Sequence, residues 1–165
     1  MTGETISDDL RVDLTLFKNL YQAQLDLLRQ VFVSCDCHTG TIIFEQGDPA
    51  EYLYLVVSGE VVIRYKPEDG PTITVARVRD GGVFGWSAII KRQNYTSTVE
   101  CTAHTLLLRV SSTDLQSLCE KYPETGTIIL DRLVANVAER LRTTSDEMYT
   151  LLGSSLRSGV NCPGG

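Results

Sequence analysis

The sequence predicts a mainly β protein with flanking helices (α+β), built as an antiparallel β jelly-roll barrel between N-terminal helices and a long C-terminal helix. Three observations lead to this fold class. Between residues 41 and 110, short runs rich in β-branched and aromatic residues alternate with turn signals. Residues 52–57 and 60–65 are joined only by Ser58 and Gly59, which is typical of a β-hairpin. Apolar residues recur at helical spacing on both sides of this region.

The region before the barrel has a helical pattern. Its apolar residues fall at helical spacing: Leu14, Phe17, Leu20, Tyr21, Leu25, Leu27, Leu28, Val31, Phe32. A polar break at residues 22–24 predicts two short helices rather than one. We therefore expect an N-terminal helical segment at residues 10–40.

Six extended runs are predicted for the barrel, which we place at residues 41–110. They occupy residues 41–45, 52–57, 60–65, 72–78, 95–102 and 105–110. Turn signals such as Gly-Asp-Pro and Pro-Glu-Asp-Gly-Pro separate them. Short strands at this spacing favour a sandwich or a jelly roll.

Two helices are predicted at residues 112–152. Ser112 is expected to cap the first, which runs to Lys121, and Pro123 to open the second, which runs to about Leu152. Apolar positions in the second helix step by four and three, forming a heptad seam of three repeats: Leu130, Val134, Val137, Leu141, Thr144, Met148, Leu151. Ile129 and Leu133 widen this apolar face, so the helix could pack on its own barrel and on a second copy.

The seam predicts a homodimer that forms through the C-terminal helix. Thr144 is its one polar step, and polar seam residues often fix register. Residues 153–165 have no periodicity and are expected to form a flexible tail, so the folded domain is placed at residues 10–152.

Composition excludes several classes of protein. The chain has 165 residues, the size of one ordinary domain, and a net charge of −6, which disfavours non-specific nucleic-acid binding. No apolar run is long enough for a membrane helix, and the polar N-terminus differs from a secretory signal. We expect a cytoplasmic domain that binds neither membranes nor, by itself, nucleic acid.

The five cysteines do not form a disulfide pattern. Cys35 and Cys37 could belong to a metal or redox site with His38, but their alternation equally fits two buried thiols in an extended segment. A zinc site usually needs four ligands, and the only other histidine is His104. We therefore predict no metal.

Residues 81–90 (GGVFGWSAII) combine three glycines with a bulky aromatic residue. Glycines allow backbone N–H groups to converge on a ligand, so a loop of this kind is suited to an anion. Trp86 follows the third glycine, where a small or polar residue is expected.

The chain resembles the cyclic nucleotide-binding domain family from Leu16 to Leu152. The stretch EQGDPAEYLYLVVSGEVVIRY is similar to its Gly-Asp turn and Ser-Gly-Glu hairpin, and residues 83–101 resemble its phosphate-binding cassette. VAERLRTTSDEM resembles the dimerisation helix of its bacterial members. The resemblance implies a barrel of the cyclic-nucleotide-binding type and a regulatory role.

The same resemblance identifies two missing charges. Members that bind cyclic nucleotides usually have a Glu after the cassette glycine, for the ribose, and an Arg about ten residues later, for the phosphate. These positions hold Trp86 and Tyr95 here. Lys91 or Arg92 could replace the Arg, although a solvated basic pair is the simpler interpretation. We expect no cofactor, and cAMP or cGMP should bind weakly or not at all.

Ten residues are predicted to contact a ligand. Eight belong to the glycine loop and the cassette: Gly82, Phe84, Gly85, Trp86, Ser87, Tyr95, Thr96, Ser97. Thr144 and Ser145 match helix positions that the resemblance implies for the purine. Such a pocket suits a neutral or weakly anionic aromatic ligand, or no ligand, with Trp86 filling the cavity.

Three function classes follow from these observations. The first is a ligand-sensing regulatory domain, in which a small-molecule effector shifts the C-terminal helix. The second is a dimerisation or protein-interaction module with a defunct pocket. The third, an enzyme, is disfavoured because two histidines are too few for a cupin-type metal site and no catalytic triad or Walker loop is present.

Overall fold

The computed structural model describes residues 2–5 and 15–139, and it contains two antiparallel β-sheets with helices packed against one of them. The strands are β1 (Thr2–Thr5), β2 (Val33–Cys37), β3 (Ile42–Phe44), β4 (Tyr52–Ser58), β5 (Glu60–Tyr65), β6 (Ile73–Arg79), β7 (Val83–Phe84), β8 (Thr98–Cys101) and β9 (Thr105–Ser111). The helices are α1 (Gln22–Val31), α2 (Ser112–Lys121) and α3 (123–139, to the end of the described chain). The predicted antiparallel β fold with flanking helices is confirmed.

The strand order in the first sheet is β1-β2-β9-β4-β7, and in the second it is β3-β8-β5-β6. Ser58 and Gly59 connect β4 to β5, but the predicted β-hairpin is wrong, because β4 pairs with β7 and β9 in the first sheet while β5 pairs with β6 and β8 in the second. The connection therefore passes from one sheet to the other. Successive side chains along β4 point to opposite faces of the first sheet, so they pack into two different hydrophobic cores.

Two hydrophobic clusters share β4 and β9. One lies between the sheets and contains Tyr54, Val56 and Leu107. The other lies between the first sheet and the helices and contains Leu53, Leu55 and Leu108, together with buried residues from all three helices. Because both faces of the first sheet are covered, β4 and β9 are almost continuously apolar.

The described part of the predicted long helix packs on the first sheet, as its widened apolar face indicated. Ile129 and Leu133 are fully buried, whereas Val134 is 64% exposed. Of the predicted seam, Leu130 and Val137 are half-buried, and Leu141, Thr144, Met148 and Leu151 lie outside the described residues.

The N-terminal region differs from the prediction. Strand β1 lies before the predicted domain start and pairs with β2, which itself falls inside the predicted helical segment. Among the described residues between β1 and α1, there is a 3-10 turn at Thr15–Phe17 in place of the first predicted helix. The predicted break at residues 22–24 is the first turn of α1, because the Gln24 side chain accepts a hydrogen bond from the Tyr21 N–H and fixes the helix start there.

Two element boundaries were also predicted wrongly. The N-cap of α2 is Ser111 rather than Ser112, since the Ser111 hydroxyl accepts a hydrogen bond from Asp114 N. The run predicted from residue 95 becomes a strand only at Thr98, because Tyr95 is held in a turn by backbone bonds to Asp48 and Gly47.

In the part of the chain that the structure describes, no helix is both long and apolar enough to cross a bilayer.

Candidate functional site

The glycine loop is held close to β4 by the short strand β7. Val83 pairs with Leu55, and Phe84 pairs with Tyr54. Gly85 follows with φ +87 and begins a 3-10 turn at Trp86–Ala88. A Cβ at Gly85 would lie 2.9 Å from the Tyr52 carbonyl oxygen, so both the left-handed backbone and the close approach require glycine here.

The second half of the loop is fixed to the turn between β3 and β4. The Tyr95 N–H donates to Asp48 O at 2.8 Å, and the Gly47 N–H donates to Tyr95 O at 2.9 Å. The Asn94 side chain donates to Gly47 O at 2.7 Å. These bonds hold the segment around Tyr95 opposite the glycine loop.

A cavity of about 270 Å³ lies between the loop and the second sheet. Its wall on the loop side is formed by Gly85, Trp86, Ser87, Tyr95, Thr96 and Ser97. The sheet contributes apolar side chains from β3, β5, β6 and β8: Phe44, Ile63, Val75, Ala76, Val99. The cavity is therefore lined by apolar groups and hydroxyls.

Both the hydroxyl and the ring of Tyr95 make contacts within the protein. Its hydroxyl donates to the Tyr52 carbonyl at 2.6 Å and accepts from the Tyr52 N–H at 3.0 Å. Its ring stacks on Phe44 with centroids 3.6 Å apart and planes 10° apart. Burial raises the pKa of Tyr95, so the phenol stays neutral. At this position the cavity presents an aromatic ring without a free hydroxyl.

Trp86 is half-buried and packs against the core cluster between the first sheet and the helices. The cavity remains beside it. The buried indole Nε1 has no hydrogen-bond partner among the described residues. The indole N–H is thus a buried donor without a partner among the described residues, on a side chain that also lines the cavity.

No lining residue in the described chain carries a charge. Lys91 and Arg92 are exposed, and neither lines the cavity. Two arginines on the lining strands are paired, Arg64 with Glu100 and Arg77 with Glu60. Among the described residues, neither Lys91 nor Arg92 therefore supplies the substitute cation that the sequence left open.

Six of the ten predicted ligand residues line the cavity: Gly85, Trp86, Ser87, Tyr95, Thr96, Ser97. Gly82 lies in the turn before β7, where its carbonyl accepts from Val56 N. Phe84 is fully buried and stacks on Tyr54, with centroids 5.0 Å apart. Thr144 and Ser145 lie outside the described residues.

Sequence reasoning missed the whole sheet side of the cavity. Those residues come from four strands, and their spacing along the chain does not reveal which strands are neighbours. Only β8 alternates between buried and half-buried residues, which gives a signal for Val99, whereas β5 has three consecutive buried residues and gives no such signal for Ile63.

The cysteine pair is part of the core between the sheets. Cys35 and Cys37 are buried there, and burial raises the pKa of both thiols, that of Cys37 to about 12. Protonated buried thiols are unreactive. Within the described residues, no group of three or more His, Cys, Asp or Glu side chains is placed to hold a metal ion.

A second cavity of about 520 Å³ lies between α2, α3 and the segment after the 3-10 turn. Leu115, Cys119 and Leu130 line it, together with Ile89 and Lys91. It shares no lining residue with the cassette cavity.

Comparison with known proteins gives consistent results. A family model described as the cyclic nucleotide-binding domain matches residues 36–122. The chain is 30% identical over 147 residues to the global nitrogen regulator of Synechococcus elongatus, an alignment that covers 88% of this chain and 64% of that protein. It is 28% identical over 145 residues to the cyclic AMP receptor protein of Thermus thermophilus, covering 88% and 65%.

The fold matches solved structures as well. The crystal structure of a cyclic nucleotide-binding domain from Methylobacillus flagellatus superposes with a TM-score of 0.74 at 22% identity, covering 83% of this chain and 77% of that chain. The chain spans less than two thirds of the length of the two curated relatives.

Proposed function

The chain belongs to the cyclic nucleotide-binding domain family, and from this premise we propose that it is a non-catalytic regulatory domain that senses a small molecule other than cAMP or cGMP. One observation carries the proposal. The cassette cavity is retained, yet the position expected to hold the phosphate-binding Arg is Tyr95, whose hydroxyl bonds to the Tyr52 backbone.

The loss of affinity for a cyclic nucleotide can be estimated from the two missing charges. A hydrogen bond to a charged group contributes roughly 1.5–3 kcal/mol, and each 1.4 kcal/mol is about a ten-fold change in affinity. Loss of the Arg alone therefore lowers the affinity for a cyclic phosphate by about ten- to a hundred-fold. Replacement of the ribose-binding Glu by Trp86 lowers it further.

A regulatory role is also supported by the relatives. The names of the two curated proteins describe a global regulator and a receptor. The polar side chains at the cavity are the hydroxyls of Ser87, Thr96 and Ser97, a set without an acid, a base or a metal ligand in the described chain.

Calorimetric titration with cAMP and cGMP tests this proposal. The wild-type domain should show no binding tighter than a Kd of about 100 μM. Trp86→Glu combined with Tyr95→Arg should tighten cAMP binding by at least about ten-fold, because it restores both charges. Tyr65→Arg, which adds the same cation at an exposed position outside the cavity lining, is the matched control. Micromolar binding of cAMP by the wild-type domain would overturn the proposal.

The alternative function is a dimerisation or protein-interaction module whose pocket is filled by Trp86. The cavity that remains beside Trp86 favours sensing, but the exposed apolar surface of α3 supports association in either case. Val134 is 64% exposed at a heptad position between Leu130 and Val137.

Sedimentation velocity tests the proposed homodimer. Val134→Glu places a charge in the seam without changing a buried contact, so it should convert a dimer into a monomer. Ala135→Glu, the next exposed residue on α3, should leave the dimer intact. A wild-type monomer at all concentrations, or a dimer that Val134→Glu does not affect, would contradict dimerisation through the heptad seam.

We also infer that the domain acts in the cytoplasm and does not bind nucleic acid by itself. Its net charge of −6 supports the second inference, since non-specific binding depends on neutralising phosphates. A salt-dependent mobility shift of duplex DNA with this domain would overturn it.

A further inference from the structure

We infer that the cassette cavity takes an uncharged, flat, mostly apolar molecule with a polar edge. This inference rests on the proposed function and deepens it by naming the class of ligand. The cavity means the space of about 270 Å³ lined by the loop residues and the strands described above.

The described lining of the cavity favours an uncharged ligand over an ionic one. None of the lining residues in the described chain is acidic or basic, and the nearest loop cations, Lys91 and Arg92, are exposed. An ion that enters such a cavity loses water without gaining a charged partner, whereas an uncharged molecule loses much less hydration.

The apolar side chains on the sheet side of the cavity favour a ligand with an apolar surface. Phe44, Ile63 and Val99 are each nearly fully buried, and Val75 and Ala76 extend this wall along β6. The stacked rings of Phe44 and Tyr95 form one end of it. Aromatic side chains pack well against flat rings, so a planar ligand gains the most contact here.

The loop side supplies neutral hydrogen-bonding groups. Ser87, Thr96 and Ser97 carry hydroxyls that donate or accept, whereas the Tyr95 hydroxyl is already used by Tyr52. A ligand with an amide or hydroxyl at one edge would satisfy these groups while its ring faces the sheet.

Trp86 makes the site directly observable. It is the only tryptophan in the chain, it lines the cavity, and its buried Nε1–H has no partner among the described residues. In ¹⁵N-labelled protein this N–H gives a single indole resonance, so a ligand in the cavity should shift that signal.

Cinnamamide and cinnamate are a suitable pair of probes because they share shape and differ in charge. Both would be titrated into the ¹⁵N-labelled domain at neutral pH, with the Trp86 indole resonance as the readout. Cinnamamide should bind at least about ten-fold more tightly than cinnamate. In Tyr95→Arg the order should reverse, since the new guanidinium favours the carboxylate.

Two further variants test the location. Ala76→Phe adds a ring to the wall and should weaken cinnamamide binding, whereas Thr72→Phe adds the same ring at an exposed position away from the lining. A melting curve for each variant establishes that it is folded before the titrations are compared.

The outcomes separate the ligand class from the sensing function. If cinnamate binds as tightly as cinnamamide and shifts the Trp86 resonance, the ligand class is wrong while a sensing cavity stands. If neither probe shifts that resonance up to about 5 mM, or if only amides around Leu115 and Cys119 in the second cavity respond, this inference is overturned. The proposed function is tested separately, by the calorimetric titration with cAMP and cGMP.

Discussion

The hydroxyl of Tyr95 makes two hydrogen bonds to the backbone of Tyr52, donating to its carbonyl at 2.6 Å and accepting from its N–H at 3.0 Å. Tyr52 begins β4, and Tyr95 ends the cassette loop. One phenol thereby joins the loop to the sheet. Tyr95 is therefore part of the scaffold that holds the cassette loop.

Tyr95→Phe should lower the free energy of unfolding by about 1–3 kcal/mol. The ring and its stacking on Phe44 are retained, but both backbone groups of Tyr52 lose their partner in a partly buried site. Urea denaturation measures the change. Tyr122→Phe, at an exposed tyrosine, is the matched control and should change stability by less than about 0.5 kcal/mol. Equal effects of the two substitutions would contradict the scaffold role.

Gly85 and Gly81 provide a matched pair with φ +87 and +84. Replacement by Ala imposes a left-handed strain of about 1–2 kcal/mol at either position. At Gly85 the added Cβ would also lie 2.9 Å from Tyr52 O and 3.3 Å from the Tyr54 ring, whereas at Gly81 it meets nothing within 4 Å. Gly85→Ala should therefore cost about 1–3 kcal/mol more than Gly81→Ala in chemical denaturation. If Gly81→Ala proves the more destabilising, the packing of the loop on β4 is not as described.

Glu60 should stabilise the protein in a pH-dependent way. Its carboxylate accepts hydrogen bonds from Thr102 Oγ1 at 2.7 Å, Arg79 Nε at 2.6 Å and Arg77 at 3.0 Å. These bonds, that from Thr102 foremost, lower the pKa of Glu60 from the ordinary 4.5 to about 2. Since the folded state binds the proton more weakly, the stabilisation is complete above about pH 4.5 and is lost as the pH falls to about 2.

Glu60→Gln should remove this part of the acid dependence. The free energy of unfolding is measured by urea denaturation from about pH 6 to about pH 2, a range that brackets both pKa values of Glu60. It should fall less steeply for the variant than for the wild-type protein. Glu68→Gln, at an exposed carboxylate in the turn after β5, controls for the loss of one negative charge. If the stability of Glu60→Gln falls with decreasing pH along the same curve as that of the wild-type protein, the hydrogen bonds of Glu60 do not have this role.

The strands with the clearest patterns were predictable from sequence, and those defined by pairing were not. The turn signal at Ser58-Gly59 and the apolar runs on either side of it located β4 and β5 to within one residue, although the two strands do not pair with each other. Strand β1 has the sequence TGET, which carries no apolar pattern, so only its pairing with β2 identifies it. Local spacing describes an element, but not its partner.

The same limit applies to the site. Trp86 and Tyr95 could be identified as cavity residues because they lie in one loop of recognisable composition. Phe44 and Val75 could not, because they meet only after β3 and β6 take their places in the order β3-β8-β5-β6. The commitment of the Tyr95 hydroxyl to Tyr52, 43 residues away in sequence, is likewise a tertiary contact that composition does not encode.

Asn136 should couple α3 to the glycine loop. Its side-chain amide donates to Gly81 O at 3.0 Å, while the Gly81 N–H donates to Val56 O at 2.7 Å, so one turn is held by both the helix and β4. Asn136→Ala removes one bond of about 1 kcal/mol, so hydrogen exchange of the Gly81 amide should accelerate by about five-fold. Asp131→Ala, at an exposed position of α3, should leave that exchange unchanged. Because the turn leads directly into β7 and Gly85, faster exchange at Gly81 would mark it as the connection between cavity and helix. Unchanged exchange would show that α3 does not restrain the loop.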